Sequence, residues 1–107
     1  MNKQSEIVVY GAEQICASCV GMPSSVETYE WLEAAIARKF PNQPFIMTYV
    51  DIFHPPTEDQ EKVDFARRVV NEEFFYPVVT INGVVVGEGN PKLKSVYQQL
   101  EECGYES

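Results

Sequence analysis

The side chains best equipped for chemistry in this 107-residue chain are two thiols separated by two residues, Cys16 and Cys19 in the run C-A-S-C. Cysteines at that spacing can close a small disulfide ring, provided their Cα atoms come within about 7 Å. A loop-to-helix turn brings them that close. The thiolate is the species that attacks a disulfide. A helix N-terminus stabilises it through the helix dipole and unpaired N–H groups. Here the pair directly follows a strand-like run in a β-α-β pattern, the context in which a lone C-x-x-C reads as a redox motif. Two other readings stay open at this point. The pair could be small buried hydrophobes, or half of a zinc site, since zinc commonly takes four nitrogen or sulfur ligands. The remaining donors would be Cys103 and His54. Cys103 ends a helix of about 12 residues, roughly 18 Å of rise, and the expected topology carries it to the far end of the sheet. No intrachain metal site and no cofactor are therefore expected.

Those thiols need elements to position them. Glu6 to Tyr10 (E-I-V-V-Y) reads as a buried strand stopped by Gly11. A loop or broken helix start, Gly11 to Ser25, carries C-A-S-C. From Val26 to Phe40, Tyr29, Leu32, Ile36 and Phe40 recur at helical spacing, with Ser24 and Glu27 as a capping box and Pro41 as the stop. Pro44 to Phe53 reads as a second strand, and Glu58 to about Phe74 as a second helix capped by Thr57, with a stripe of Val63, Ala66, Val70 and Phe74. Pro77 opens a third strand, and Asn82-Gly83 between β-branched runs signals a two-residue hairpin turn. Gly87 to Gly89 reads as a flexible link. Asn90 would cap, and Pro91 begin, a last helix with Leu93, Val96, Tyr97 and Leu100 inward. The order is β-α-β-α-β-β-α in a single domain spanning 1–107. The first two strands are parallel through a right-handed crossover, and the whole is an α/β fold with a four-stranded mixed sheet and three helices.

Size and charge narrow the function classes. A chain of this mass buries about two-thirds of its surface on folding, enough for one core. Hydrophobic residues at 45% and charged residues at 22% place it among globular domains rather than disordered ones. The formal net charge is −8, with acidic residues in both halves, so phosphate backbones and anionic lipid surfaces are poor partners. Three cysteines is an odd count at low density, which argues against a disulfide scaffold. The opening residues hold only four consecutive apolar residues, Ile7 to Tyr10, too few for a signal peptide. A reducing cytoplasm is the expected compartment.

C-x-x-C after the first strand, Pro77 heading a hairpin, and the element order together resemble the thioredoxin fold in its minimal, glutaredoxin-like form. More narrowly, V-V-Y-G-A-x-x-I-C-A-S-C-V and F-Y-P-V-x-T are similar to the YuzD-like family of small disulfide oxidoreductases from Gram-positive bacteria, which has no assigned substrate. The resemblance implies that Cys16 is the attacking thiol and Cys19 the resolving one. It also implies that Tyr76-Pro77 is a cis bond, and that Tyr76 and Pro77 bind substrate, with protein thiols or disulfides as partners. From the residues alone, cis is not established. The chain departs from the wider fold in having Ala17 and Ser18 inside the motif, Glu13 near it, and G-E-G-N at Gly87 to Asn90 where a glutathione loop would stand. Glutathione is thus not an implied ligand, and Glu13 would raise the thiol pKa by like-charge repulsion. The alternative function is a non-enzymatic interaction protein of the same fold, an accessory in metal or iron–sulfur handling that holds metal between chains.

Four further residues carry expectations. Trp31 lies off the inward stripe of the first helix and reads as a half-buried core edge, with a partner surface as the alternative. His54 reads as a solvated loop residue. Asp51 ends a strand on the motif's side; thioredoxins, which the chain resembles, keep a buried acid beneath the resolving thiol to assist proton transfer, and the residues do not place Asp51 in that position. Cys103 follows Leu100 by three and reads as part of the inward stripe.

Overall fold

A run of β-branched and aromatic side chains with no polar alternation suits a strand covered on both faces. β1 (Ser5–Gly11) is such a strand: all but Glu6 of its residues are buried. The computed structural model describes residues 5–12, 25–41, 43–89 and 92–105. β1 lies inside a four-stranded sheet of order β2-β1-β3-β4. It runs parallel to β2 (Phe45–Asp51), Ser5 opposite Phe45 and Gly11 opposite Asp51. It runs antiparallel to β3 (Val78–Ile81), Tyr10 opposite Val78 and Ile7 opposite Ile81. β4 (Val84–Glu88) returns along β3 after a turn in which Asn82 has φ 51° and Gly83 φ 86°. Positive φ at both positions is the geometry that an Asn-Gly hairpin turn supplies.

Successive side chains of a strand point to opposite faces, so β1 feeds two cores. Ile7 and Val9 pack with Leu32, Ile36 and Phe40 around α1 (Ser25–Lys39), and with Val96 and Leu100 of α3 (Leu93–Glu102). Val8 and Tyr10 pack with Val50, Ile52, and Ala66 and Val69 of α2 (Gln60–Val70) on the other face. Among the described residues the expected order and mixed sheet are therefore present, as an α/β fold with three helices. Among the described residues no helix is long and apolar enough to cross a membrane.

Four expectations are corrected. α2 is capped by Asp59, whose carboxylate accepts the Lys62 N–H at 3.2 Å, rather than by Thr57. It ends at Val70 rather than near Phe74, because Asn71 forms the C-cap and Glu72 turns to φ 66°. Val69 is thus inward and Val70 is 41% exposed, while Phe74 folds back to stack on Phe65 with ring centroids 5.1 Å apart. α3 starts with Lys92 as an N-cap lacking a side-chain cap bond, and the expected cap Asn90 and first residue Pro91 lie outside the described residues. Gly87 and Glu88 are not a link but the end of β4. The Ser24 capping box also lies outside the described residues.

Candidate functional site

The register gathers Gly11, Asp51, Val78 and Glu88 at one end of the sheet. There the chain leaves β1 at Ala12, and there too α1 starts, with Ser25 as its first residue. The two points are tied together: the Ala12 N–H donates to Ser25 Oγ at 3.2 Å, and both residues are buried. Contact is so close that a Cβ on Gly11 would stand 2.2 Å from the Ser25 Cβ. Only the absence of a side chain lets the helix start against the strand end. The Ile52 N–H donates to the Gly11 carbonyl at 2.9 Å, continuing the tie toward β2. Cys16 and Cys19 belong to the span between Ala12 and Ser25 and lie outside the described residues, as does Glu13.

On the other side of Gly11 stands the Tyr76-Pro77 corner. Pro77 immediately precedes β3, and the peptide bond before it is cis. Pro77 is buried and Tyr76 half-buried, packed on the core under α2. The strand end of β4 holds the corner. The Phe75 N–H donates to Glu88 Oε1 at 3.1 Å, and the Gly89 N–H donates to the carbonyls of Phe75 and Pro77, each at 2.9 Å. The cis bond implied by the resemblance is present.

Apolar side chains crowd this end. Phe53 follows β2 by two residues and is 50% exposed; Phe75 precedes Pro77 by two and is 79% exposed. Val26 opens α1 and Val70 closes α2, and both are also exposed. Asp51 stands at this end and is half-exposed. Its carboxylate accepts the Phe53 N–H at 2.9 Å and lies 3.4 Å from His54 Nδ1 in an exposed turn. His54 is solvated, as expected.

The opposite end carries Cys103. It is exposed rather than part of the inward stripe of α3, because the helix ends at Glu102 and Cys103 takes the C-cap position. Its sulfur accepts from Asn82 Nδ2 at 3.5 Å, beside the hairpin turn. Trp31 is 45% exposed, the half-buried position expected of it.

Electrostatics follow burial and pairing. Burial pushes the Tyr10 hydroxyl up to about 12, against a lowering contribution from Lys62. Burial, then the Glu33 carboxylate, raise Tyr29. The hydrogen bond from Lys62 lowers Asp59, and that same bond raises Lys62. Sequence reasoning missed Ser25, Gly11 as a contact point, Phe53 and Phe75. The aromatic run F-F-Y ahead of Pro77 could have marked Phe75, whereas the Ser25 tie is a long-range contact with no local signal.

A family model described as a protein of unknown function (DUF1462) matches residues 8–101. The Bacillus subtilis protein YuzD, named as a proposed disulfide oxidoreductase, is 54% identical over 105 residues, which is 98% of this chain and 96% of that protein. The crystal structure of a Staphylococcus aureus protein of unknown function superposes with a TM-score of 0.82 at 36% identity, covering 94% of this chain and 91% of the other.

Proposed function

The chain belongs to the YuzD-like family, DUF1462, and from that premise we propose that it is a cytoplasmic thiol-disulfide oxidoreductase of thioredoxin-like fold, acting through Cys16 and Cys19. The observation that carries the reading is the geometry around Gly11. The span bearing C-A-S-C is closed at its base by the Ala12–Ser25 bond, and that base lies at the same sheet end as the Tyr76-Pro77 corner. The name of the Bacillus subtilis relative supports a redox role.

In the reducing direction the Cys16 thiolate attacks one sulfur of a substrate disulfide. An S–S bond forms between Cys16 and substrate, and the other substrate sulfur leaves as a thiolate that takes a proton. Cys19, deprotonated, then attacks the Cys16 sulfur. The second substrate thiol is released, two electrons have passed to the substrate, and Cys16–Cys19 is left as a disulfide. A dithiol reductant must restore it; the oxidising direction is the same sequence reversed. Tyr76 and Pro77 would line the substrate path. The exposed Phe53, Phe75, Val26 and Val70 favour a polypeptide substrate with apolar residues beside its disulfide.

The test is non-reducing electrophoresis of variants incubated with host extract, alongside a thiol-exchange assay. Cys16→Ser should abolish exchange. Cys19→Ser should keep the first attack and accumulate mixed disulfides, and Cys103→Ser should leave both steps intact. Trapping by Cys16→Ser but not Cys19→Ser would reverse the roles. No trapping by either, with bound zinc or iron in anaerobically purified protein, would replace this reading with that of a metal-holding accessory protein.

A further inference from the structure

Trp31 is the single tryptophan of the chain. It forms one wall of a groove of about 350 Å³ between α1 and α3. Ala34, Ala35 and Leu93 line the groove, and Arg38 and Lys39 stand toward its far end. The inner edge is closed by Tyr97, whose hydroxyl donates to the Ala35 carbonyl at 3.4 Å and whose ring lies 5.5 Å from the Lys39 ammonium. This is a concave aromatic and cationic surface on a chain of net charge −8.

The outer rim of that groove has a pattern of its own. Glu27, Trp31, Ala34 and Arg38 are spaced as i, i+4, i+7 and i+11, so they form one stripe along α1. All four are exposed. Glu30 flanks the acidic end of the stripe, and Lys39 flanks the basic end. The stripe therefore carries negative charge at its start, an indole in its middle and positive charge at its finish. Reversed end for end, such a stripe is complementary to itself. The pairs Glu27/Arg38 and Trp31/Ala34 also share one midpoint, between Leu32 and Glu33.

We propose that this face is a self-association surface, on which α1 helices from two copies of the chain pack antiparallel across a two-fold axis at that midpoint. Each pair then occurs twice, as an isologous interface requires. Glu27 meets the partner's Arg38. Trp31 meets the partner's Ala34, whose small side chain leaves room for the indole in the groove. There the ring lies beside the partner's Arg38, in position for a cation–π contact. A second copy fits better than a foreign acidic segment because one stripe supplies both signs at matching spacing. An acidic ligand would satisfy Arg38 while facing Glu27 with like charge.

The test is sedimentation velocity of the full chain under reducing conditions, so that no interchain disulfide contributes, with Trp31 emission as a second readout. Wild type should dimerise with rising concentration, and its emission should shift to the blue. Arg38→Glu/Lys39→Glu should weaken the dimer about tenfold or more, because like charges then face each other, and so should Glu27→Lys/Glu30→Lys. Mixed in equal amounts, the two charge variants should pair again, since each now presents what the other lacks. Trp31→Ala should abolish dimerisation. Unchanged circular dichroism will show that these exposed substitutions leave the fold intact. A wild type that stays monomeric to its solubility limit overturns the proposal. So does a dimer indifferent to the charge variants or to Trp31→Ala, or a mixture that does not pair. None of these readouts depends on thiol exchange.

Discussion

The two ends of the sheet are built on opposite plans. At the Ser5 end, polar side chains lock distant parts of the chain together. The Tyr105 hydroxyl donates to the Pro44 carbonyl and accepts the Ser5 N–H at 3.1 Å. Asn82 accepts the Glu6 N–H at 3.0 Å and donates to Ser5 Oγ at 3.2 Å. Edge-on aromatic contacts back them, Phe40 to Tyr105 at 5.5 Å and Phe40 to Tyr97 at 6.0 Å. At the Gly11 end the ties reach over shorter stretches of chain, from Ala12 to the Ser25 hydroxyl, from Ile52 to the Gly11 carbonyl and from Phe75 to the Glu88 carboxylate, with a close approach at Gly11, and the rings of Phe53 and Phe75 stand in solvent. Ile46 and Val84 are exposed at the Ser5 end too, but the two exposed phenylalanine rings, Phe53 and Phe75, both stand at the Gly11 end, and exposed rings gathered beside one sheet end are the mark of an end that receives something.

The largest effect should come from the anchoring end. Phe40 is 1% exposed, and its ring touches two others. Phe40→Ala should cost about 3–5 kcal/mol through lost burial and the cavity left behind. Chemical denaturation will measure it. If the comparison is right, thiol exchange per folded molecule stays at the wild-type level.

Next is an alkaline limb from Tyr10, near the Gly11 end. Its hydroxyl is raised from 10.0 to about 12 by burial. A raised folded pKa means that the contribution is fully present below pH 10 and is lost as pH rises from 10 toward 12. In that window the unfolded chain ionises its tyrosine while the folded chain holds the proton. The loss reaches about 3 kcal/mol at the top of the window, at 1.36 kcal/mol per pH unit. Tyr10→Phe should flatten the curve of stability against pH between 10 and 12, measured by chemical denaturation at each pH.

Gly11 follows. Adding a methyl against Ser25 Cβ at 2.2 Å and Oγ at 2.3 Å forces a shift in either strand or helix. Gly11→Ala should cost about 1–3 kcal/mol. Because the clash is with the Ser25 side chain, the same substitution in a Ser25→Gly background should cost less. A double-mutant cycle should give a coupling above about 0.5 kcal/mol, and additivity would show that the close approach is not what matters.

How far these features could be read beforehand depended on how local their causes are. β1, the Asn82-Gly83 turn and the α1 stripe follow from neighbouring residues and were legible, as was the position of Pro77 level with the end of β1. The end of α2 was not, since the chain turns at Glu72 with φ 66° where no glycine announces it. Cys103 was misread because Leu100 plus three continues a stripe only while the helix continues, and α3 stops at Glu102. Asp51 was placed at the correct end, but its bond to the Phe53 N–H depends on a turn that periodicity does not reveal. Ser25 and Tyr105 act through contacts 13 and 100 residues away in sequence, beyond any local pattern.

The smallest effects give the sharpest comparison, because two substitutions of similar cost sit at opposite ends. Tyr105→Phe strips one bond from the Ser5 N–H and another from the Pro44 carbonyl while keeping the ring against Phe40. Ser5 is 3% exposed, so its N–H is left without an easy route to water, and a loss of about 2 kcal/mol is expected. Ser25→Ala strips the hydroxyl bond from the buried Ala12 N–H, for a loss of about 1–2 kcal/mol. Matched in stability, the two should diverge in chemistry. Ser25 closes the base of the span that carries Cys16 and Cys19, so releasing it should change the rate at which a small disulfide is reduced and the pH at which the attacking thiol ionises. Tyr105→Phe should leave both unchanged. Stopped-flow exchange with an aromatic disulfide, followed across pH, separates them. Equal kinetic profiles for the two variants would mean that the Ala12–Ser25 tie only holds the fold together, and the functional contrast between the ends would then rest on the apolar rim alone.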